Sequence, residues 1–236
     1  MRVRRWLIVS AVWLSMIAVT IVVTRATGEK TVAQRIAQYG GGVDKRLTPV
    51  FRARSVPYPP TRLALIGFKE ERVLEVWAAG DDSGYRFIRS YPILAASGTP
   101  GPKLRQGDGQ VPEGIYRIDS LNPNSLYHLS LRVGYPNDFD RQQARHDGRT
   151  DLGGDIMIHG GAGSSGCLAM GDEAAEDLFV LAAKTGPAKI IVILSPVDFR
   201  RREVAYRRPQ PGWVSPLYEE IKRALQPFGV KGDVTS

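Results

Sequence analysis

Cysteine is almost absent from this chain of 236 residues, which contains one, Cys167, and histidine is scarce, with three. A single thiol cannot form a disulfide bond within the chain. Low-complexity tracts and short internal repeats are also lacking. The hydrophobic fraction of 43% is enough for one substantial core with at most a small second element.

Acidic residues are missing from residues 1–25, which carry four arginines and therefore half of the formal net charge of +8. The 19 residues from Trp6 to Thr24 carry no charge at all. Such a run approaches the ~20 residues of a transmembrane helix and exceeds the ~7–15 of a usual signal-peptide core. Three arginines before the run and one after it predict a cytoplasmic N-terminus, with the rest of the chain outside. We expect an uncleaved inner-membrane anchor; a cleaved signal and a buried helix are the alternatives.

Export changes the interpretation of Cys167. Structural cysteines outside the cytoplasm usually occur in pairs, so an unpaired one is more often reactive, although an inert buried thiol is the alternative. The other half of the net charge leaves a mildly basic domain beyond residue 25. This charge suits an anionic surface or polymer, and we predict no nucleic-acid partner. The sequence does not indicate an oligomeric state.

Four regions are predicted along the chain: the anchor at 1–25, a linker at 26–61, a folded domain at 62–196 and a basic extension at 197–236. In the linker, a short helix from Val32 to Tyr39 is expected to end at Gly40-Gly41-Gly42, and prolines then keep the chain extended. The extension holds three consecutive arginines, 200–202, interpreted as a solvated face or, less favoured, a contact with an anionic lipid or polymer. It also holds a short amphipathic helix from Leu217 to Leu225.

The pattern of residues 62–133 is mostly that of β-strands, with short runs rich in β-branched and apolar residues between glycine-containing turns. We predict strands at Arg62–Phe68, Arg72–Ala79, Arg86–Tyr91, Gly114–Asp119, Tyr127–Val133, Asp155–Ile158 and Ile190–Leu194. One helix is predicted from Asp172, as the N-cap, to Lys184. The expected class is α+β, mainly β, with one or two packed helices.

The glycine-rich loop after Ile158 has two explanations. Gly161, Gly163 and Gly166 match the spacing of a dinucleotide-binding fingerprint between a strand and a helix. That fingerprint expects an acidic residue ~20 positions later, and this window holds Lys184, Thr185, Gly186 and Pro187. The preceding strand also belongs to a β-rich chain rather than to a βαβ unit. We therefore disfavour a nucleotide cofactor.

Catalysis explains more of the same residues. His159 stands at a strand end, and the glycines that follow allow the loop to bring its imidazole back to Cys167, where it would convert the thiol into a nucleophile. The N–H groups of Ser165, Gly166 and Cys167 are candidates for an oxyanion hole. An acyl-transfer enzyme needs this combination of nucleophile, base and donors. A core histidine and an unrelated buried thiol are the alternative.

These residues resemble the YkuD-type L,D-transpeptidase catalytic domain, whose signature is His-Gly some way before Ser/Thr-His-Gly-Cys. Two departures, Ser165 in place of the second histidine and the short interval from His159 to Cys167, are similar to a short-motif, YafK-like subgroup. The resemblance covers roughly Arg62 to Leu194. Its upstream blocks are Gly101-Pro102-Lys103, Gly107-Asp108-Gly109, Pro112-Glu113-Gly114-x-Tyr116, Asn122-Pro123-Asn124-Ser125, His128-Leu129-Ser130-Leu131 and Gly134-Tyr135-Pro136-Asn137.

The resemblance implies a β-rich domain that acts on the stem peptides of peptidoglycan without a metal or organic cofactor. It implies that Cys167 attacks the diaminopimelate carbonyl, that His159 accepts and donates protons, and that the backbone carbonyl of Gly160 orients the imidazole. A second diaminopimelate amine would then give a 3→3 cross-link, whereas water would give hydrolysis. Ser165 in place of the motif histidine leaves both outcomes open, and a non-catalytic envelope binding module is a third hypothesis.

Four further residues in the family-like block are predicted to bind substrate: His128, Tyr135, Asn137 and Arg141. Arg141 is the strongest candidate for a diaminopimelate carboxylate, because a guanidinium can grip a carboxylate through two parallel hydrogen bonds. The alternative for His128 is that it packs or faces water in the alternating segment that contains it.

Overall fold

The structure is a computed structural model that describes residues 28–81, 83–205 and 209–229. The helices in these ranges are α1 (Val32–Ala53), α2 (Asp138–His146), α3 (Asp172–Thr185) and α4 (Val214–Leu225). The strands are β1 (Arg62–Phe68), β2 (Val73–Ala79), β3 (Arg86–Pro92), β4 (Ala95–Ala96), β5 (Gly114–Asn122), β6 (Ser130–Val133), β7 (Met157–His159), β8 (Leu168–Ala169) and β9 (Ile190–Ser195). A 3₁₀ turn, Pro187–Lys189, precedes β9.

The anchor predicted at residues 1–25 lies outside these ranges. Within them, every helix is too short or too polar to cross a membrane.

The strands form one nine-stranded sheet in the order β3-β2-β1-β9-β5-β6-β7-β8-β4. Two neighbouring pairs, β1 with β9 and β7 with β8, run parallel, and the other pairs are antiparallel. The predicted β-rich α+β class is therefore confirmed. The predicted domain at 62–196 contains two helices, α2 and α3, in agreement with the one or two expected, and α1 and α4 lie outside it.

Side chains of β1 point alternately to the two faces of the sheet and so contribute to two separate core clusters. Leu63 and Leu65 face a cluster that also contains residues of α1 and α3, whereas Ala64, Ile66 and Phe68 face a cluster that contains α4. Successive side chains of a strand point to opposite faces, so a strand that is apolar at every position is buried on both sides. Helices thus cover both faces of this part of the sheet.

Helix α1 corrects the predicted linker. The helix continues through Gly40-Gly41-Gly42 and past Pro49, so the prediction that the glycines end it was wrong. Thr31 and Gln34 form a capping box at its start. Val43, Leu47 and Phe51 recur at four-residue spacing on one face and are buried in the core beside α3. Burial of each such side chain contributes roughly 1.5–3 kcal/mol, enough to outweigh the ~1 kcal/mol that a glycine costs a helix.

Helix α4, within the predicted C-terminal extension, packs on the sheet. It begins at Val214, three residues before the predicted start, and buries Leu217, Tyr218 and Ile221 against the sheet. The Tyr218 hydroxyl also donates a 2.6 Å hydrogen bond to the buried carboxylate of Glu113. The packed elements therefore run from α1 to α4, and the C-terminal helix is part of the same core.

Candidate active site

Of two short parallel strands, β7 ends at the predicted base and β8 directly follows the predicted nucleophile. In β7 and β8, His159 is in register with Ala169, and Ile158 with Leu168. Cys167 directly precedes β8, and its Sγ reaches the backbone N–H of Met157, two residues before His159 in β7. Ile158 and Leu168 point into the core. The glycine-rich loop crosses between the two strands.

The imidazole of His159 is fixed by the backbone that follows it. Its Nδ1 lies 2.6 Å from the carbonyl oxygen of Gly160. A carbonyl only accepts hydrogen bonds, so Nδ1 carries the proton and Nε2 is left with its lone pair. Burial lowers the pKa of His159, partly opposed by this hydrogen bond. At neutral pH the ring is therefore uncharged and able to accept a proton.

An aromatic ring that the sequence did not single out packs on this imidazole. The centroid of Tyr127 lies 4.7 Å from that of His159, with the rings tilted by 36°. Tyr127 remains about half exposed, at 53%. The ring of Tyr127 therefore shields one side of the imidazole from solvent.

The thiol of Cys167 contacts backbone atoms rather than the imidazole. Its Sγ lies 3.4 Å from the N–H of Met157 and 3.5 Å from the carbonyl oxygen of Asp155. Among the described residues no hydrogen bond joins Sγ to His159. Burial raises the pKa of Cys167, opposed in part by the Met157 N–H, and the nearby charge of Asp155 raises it further. The two pKa shifts together favour the neutral thiol of Cys167 and the neutral imidazole of His159.

Two of the three N–H groups predicted to form an oxyanion hole are already occupied. The Gly166 N–H donates to Ser97 Oγ at 2.6 Å, and the Cys167 N–H donates to Ser164 Oγ at 3.1 Å. Ser97 in turn donates to the carbonyl of Gly109, which ties the catalytic loop to residues 97–109. To stabilise an oxyanion, the N–H groups of Gly166 and Cys167 would have to release their serine acceptors and donate to the substrate instead. The predicted oxyanion hole of Ser165, Gly166 and Cys167 therefore does not have all three N–H groups available in this structure.

The four residues predicted to bind substrate have structural partners. The hydroxyl of Tyr135 is directed to the carbonyls of Lys103 and Leu152, and the side chain of Tyr135 is buried. His128 Nε2 lies 3.0 Å from the carboxylate of Glu176 in α3.

Asn137 and Arg141 belong to the start of α2. Asn137 caps that helix by accepting from the Asp140 N–H, and its amide donates to the carbonyl of Ile115. Arg141 pairs with Asp138 and donates to the carbonyl of Pro136. No hydrogen bond or ring contact among the described residues joins any of the four to Cys167 or His159, and their binding role stays a prediction.

Asp172 has a different position from the one predicted. It is the first residue of α3 rather than its N-cap, which is Gly171. Its carboxylate accepts a 2.8 Å hydrogen bond from the N–H of Gly161. This contact clamps the catalytic loop next to Gly160. In the sequence, Asp172 was recognisable as a residue type that accepts hydrogen bonds from backbone N–H groups. The sequence does not show that its partner is the N–H of Gly161.

Ser130 is a further residue that the sequence did not indicate. In β6 it is in register with His159 of β7, so the two side chains share a face. Its Oγ is buried, and in the described part of the chain it has no hydrogen-bond partner. Buried polar groups nearly always have a hydrogen-bond partner, so this hydroxyl opposite His159 is an exception that needs an explanation. No group of three or more histidine, cysteine or acidic side chains in these ranges is arranged to hold a metal ion.

The chain matches a known family over most of its sheet. Residues 61–192 match the family model described as the L,D-transpeptidase catalytic domain, YkuD. Over 166 residues the chain is 32% identical to YafK of Escherichia coli (strain K12). That similarity covers 68% of this chain and 64% of YafK, so the match spans slightly less than two thirds of the relative.

Solved structures share weaker likeness. The helical cell shape determining protein Pgp2 from Campylobacter jejuni is 24% identical, with a TM-score of 0.46, and the match covers 58% of this chain and 48% of Pgp2. L,D-transpeptidase 1 of Mycobacterium tuberculosis is 15% identical, with a TM-score of 0.33, and the match covers 57% of this chain and 62% of that protein.

Proposed function

Because the chain belongs to the YkuD L,D-transpeptidase catalytic domain family, with the YafK-like short motif, we propose that it is a cysteine-dependent murein L,D-transpeptidase. The observation that carries the proposal is that Cys167 Sγ lies against Met157 of β7, the strand that ends at His159, whose Nδ1 is held by the Gly160 carbonyl so that Nε2 can accept a proton. The substrates would be peptidoglycan stem peptides, and the reaction would contribute to cell-wall biogenesis or remodelling.

The first half-reaction forms an acyl-enzyme. Rotation of the Cys167 side chain away from Asp155 would bring Sγ to the carbonyl carbon of diaminopimelate and its proton to Nε2 of His159. The new C–S bond gives a tetrahedral oxyanion. As the C–N bond breaks, the imidazolium returns the proton to the leaving amine, and D-alanine departs from a thioester on Cys167.

The second half-reaction decides the product. A diaminopimelate amine of another stem peptide attacks the thioester and gives its proton to His159, so that a 3→3 cross-link forms and the sulfur is released. Water in the same position would give a shortened peptide instead. Because Ser165 stands where the family motif has a histidine, hydrolysis is the second candidate, and it includes release of a lipoprotein joined to murein.

The charge states of the two groups set the order of these steps. A neutral thiol is a weak nucleophile, so proton transfer to His159 would accompany attack rather than precede it. The carbonyl of Gly160 would stabilise the resulting imidazolium through the Nδ1 proton, as the acidic member of a catalytic triad does.

We further propose that the protein acts at the cell envelope, with the catalytic domain in the periplasm. The support is the arginine-flanked uncharged run from Trp6 to Thr24, together with a substrate that lies outside the inner membrane.

Incubation of the full chain with purified muropeptides and with a carbapenem tests the proposal. We expect mass spectrometry to show an acyl adduct on Cys167, absent from Cys167→Ala and strongly reduced in His159→Gln. Cross-linked dimers would support the transpeptidase, whereas shortened monomers alone would support the hydrolase. An unmodified protein and unchanged muropeptides would overturn both and favour a non-catalytic binding module.

A further inference from the structure

An arginine and an aspartate form an ion pair beside the candidate nucleophile. Arg132 of β6 is in register with Met157 of β7, and its Nη2 lies 3.0 Å from Oδ1 of Asp155. From the other side, Cys167 Sγ contacts the Asp155 carbonyl and the Met157 N–H. The guanidinium of Arg132 and the thiol of Cys167 therefore both contact the segment Asp155–Met157.

This arginine belongs to the face of the sheet that carries the site. Arg132 is two residues from Ser130, whose register partner is His159, so Ser130, Arg132 and His159 project to the same side. Leu131 between them points into the core. Ser130, whose buried Oγ has no partner among the described residues, stands directly opposite His159 in the neighbouring strand. This face thus carries the guanidinium of Arg132 and the hydroxyl of Ser130, which has no hydrogen-bond partner in the part of the chain that the structure describes.

The ion pair is easily exchanged. The side chains of Arg132 and Asp155 are 44% and 78% exposed, so water screens their attraction and the pair stabilises the fold little. A guanidinium can take a carboxylate through two parallel hydrogen bonds, and this structure shows one contact within ion-pair distance. Arg132 can therefore leave Asp155 for another carboxylate without a large loss.

We propose that Arg132 is a substrate-binding residue that takes a carboxylate of the peptide next to the scissile bond, and that the Asp155 side chain occupies this position until substrate displaces it. The inference rests on the proposed function, because it specifies what the same site recognises. It adds a residue from β6, upstream of the catalytic loop.

The dimensions of the sheet and of the peptide agree. Adjacent strands are ~4.8 Å apart, so β6 lies about 10 Å from the strand that Cys167 precedes, and the arginine side chain bridges part of that distance. The scissile carbonyl of the stem peptide has two carboxylates within reach. The terminal D-alanine carboxylate is about one extended residue away, ~3.5 Å, and the diaminopimelate side-chain carboxylate about two, ~7 Å.

Kinetics with three tetrapeptide substrates test the proposal: one with both carboxylates free, one with an amide at the terminal D-alanine and one with an amide on the diaminopimelate side chain. For the unmodified full chain, we expect one of the two amides to raise KM on the order of tenfold, because a charge-assisted hydrogen bond is lost. That amide identifies the carboxylate bound. Equal KM for all three substrates would overturn the proposal.

Variants assign the effect to the arginine. Arg132→Gln should raise KM for the free acid about tenfold and abolish the discrimination against the amide, while Arg132→Lys should recover part of both. Asp155→Asn should act in the opposite direction and lower KM for the acid, because it removes the competing carboxylate. Arg86→Gln, at the exposed start of β3 on the other edge of the sheet, should change nothing. Discrimination that survives in Arg132→Gln would overturn the inference.

A binding measurement separates this inference from the proposed function. Calorimetric titration of Cys167→Ala with the same three peptides requires no turnover. Acid-over-amide preference that depends on Arg132 would support the inference even if the unmodified chain formed no adduct, which would refute the proposed function alone. Turnover without any such preference would refute the inference alone.

Discussion

The backbone of Gly160 runs so close to Asp172 that a Cβ at position 160 would lie 2.6 Å from Asp172 Oδ1. The carbonyl of Tyr127 would be 2.8 Å away on another side. The same glycine supplies the carbonyl that holds Nδ1 of His159, and its neighbour Gly161 donates to Asp172. The start of α3, the glycine-rich loop and the imidazole of His159 are therefore joined at Gly160, which has no side chain.

Gly160→Ala should impair both the fold and the site. The Tyr127 backbone must shift and the Asp172 carboxylate must turn away from the loop, which typically costs about 1–3 kcal/mol of unfolding free energy. A displacement of the Gly160 carbonyl by about 1 Å should lower kcat/KM on the order of a hundredfold. Gly163→Ala is the matched control, because a Cβ there meets nothing within 4 Å. Equal activity of the two variants in acyl-adduct formation would contradict this role of Gly160.

Alkylation of Cys167 should be slow at neutral pH. Burial raises the pKa of Cys167 and lowers that of His159, and both shifts disfavour an imidazolium–thiolate pair. Iodoacetamide rates measured from pH 5 to 10 should rise with a single inflection above the ordinary thiol value of about 8.5. His159→Gln should leave this profile nearly unchanged. A plateau already reached at pH 6 and lost in His159→Gln would instead indicate a preformed ion pair.

Ser97→Ala should destabilise the catalytic loop. The substitution leaves the buried Gly166 N–H without its acceptor, which costs about 1–3 kcal/mol. Urea unfolding measures this loss, and Ser97→Thr, which retains a hydroxyl, is the control. An unfolding free energy that is the same in Ser97→Ala as in the unmodified chain would mean that the Gly166 N–H finds another acceptor.

Phe51→Ala should cost about 3–5 kcal/mol of unfolding free energy, because the ring is fully buried between α1 and the sheet. Arg52→Ala, at the exposed next position of the same helix, should have little effect. Denaturant midpoints of the two variants provide the comparison. A flexible tether at residues 26–61 would instead make both substitutions neutral.

The sequence predicted the elements whose signals are local. β1 is observed at the predicted residues, because a run of apolar and β-branched residues between turns is decided within a few positions. The full length of helix α1 was not predicted, because Gly40-Gly41-Gly42 is a strong local signal for the end of a helix. Burial of Val43, Leu47 and Phe51 outweighs that signal. The four-residue spacing of those apolar residues was present in the sequence, and it outweighs the glycines only once α3 is there to cover it.

The site shows the same division. The position of His159 at a strand end follows from its neighbours, whereas the hydrogen bonds of Gly166 to Ser97 and of Gly161 to Asp172 depend on the tertiary fold. Helix α2 was missed because its residues are almost all polar, which leaves the Asn137 and Asp140 capping box as its main signal. Asn137, which was predicted to bind substrate, is thus also the N-cap of a helix that the sequence did not indicate.

The position of β9 determines when the chain can fold. This late strand lies between β1 and β5, and its Ile190 is in register with Leu63 near the start of the sheet. Because such long-range pairings require closure of a large loop, folding should be slow compared with that of a helical domain of similar size. A ribosome-bound fragment that ends before Ile190 should have no closed core, so the protein acquires its structure only after nearly all of its sheet has been synthesised.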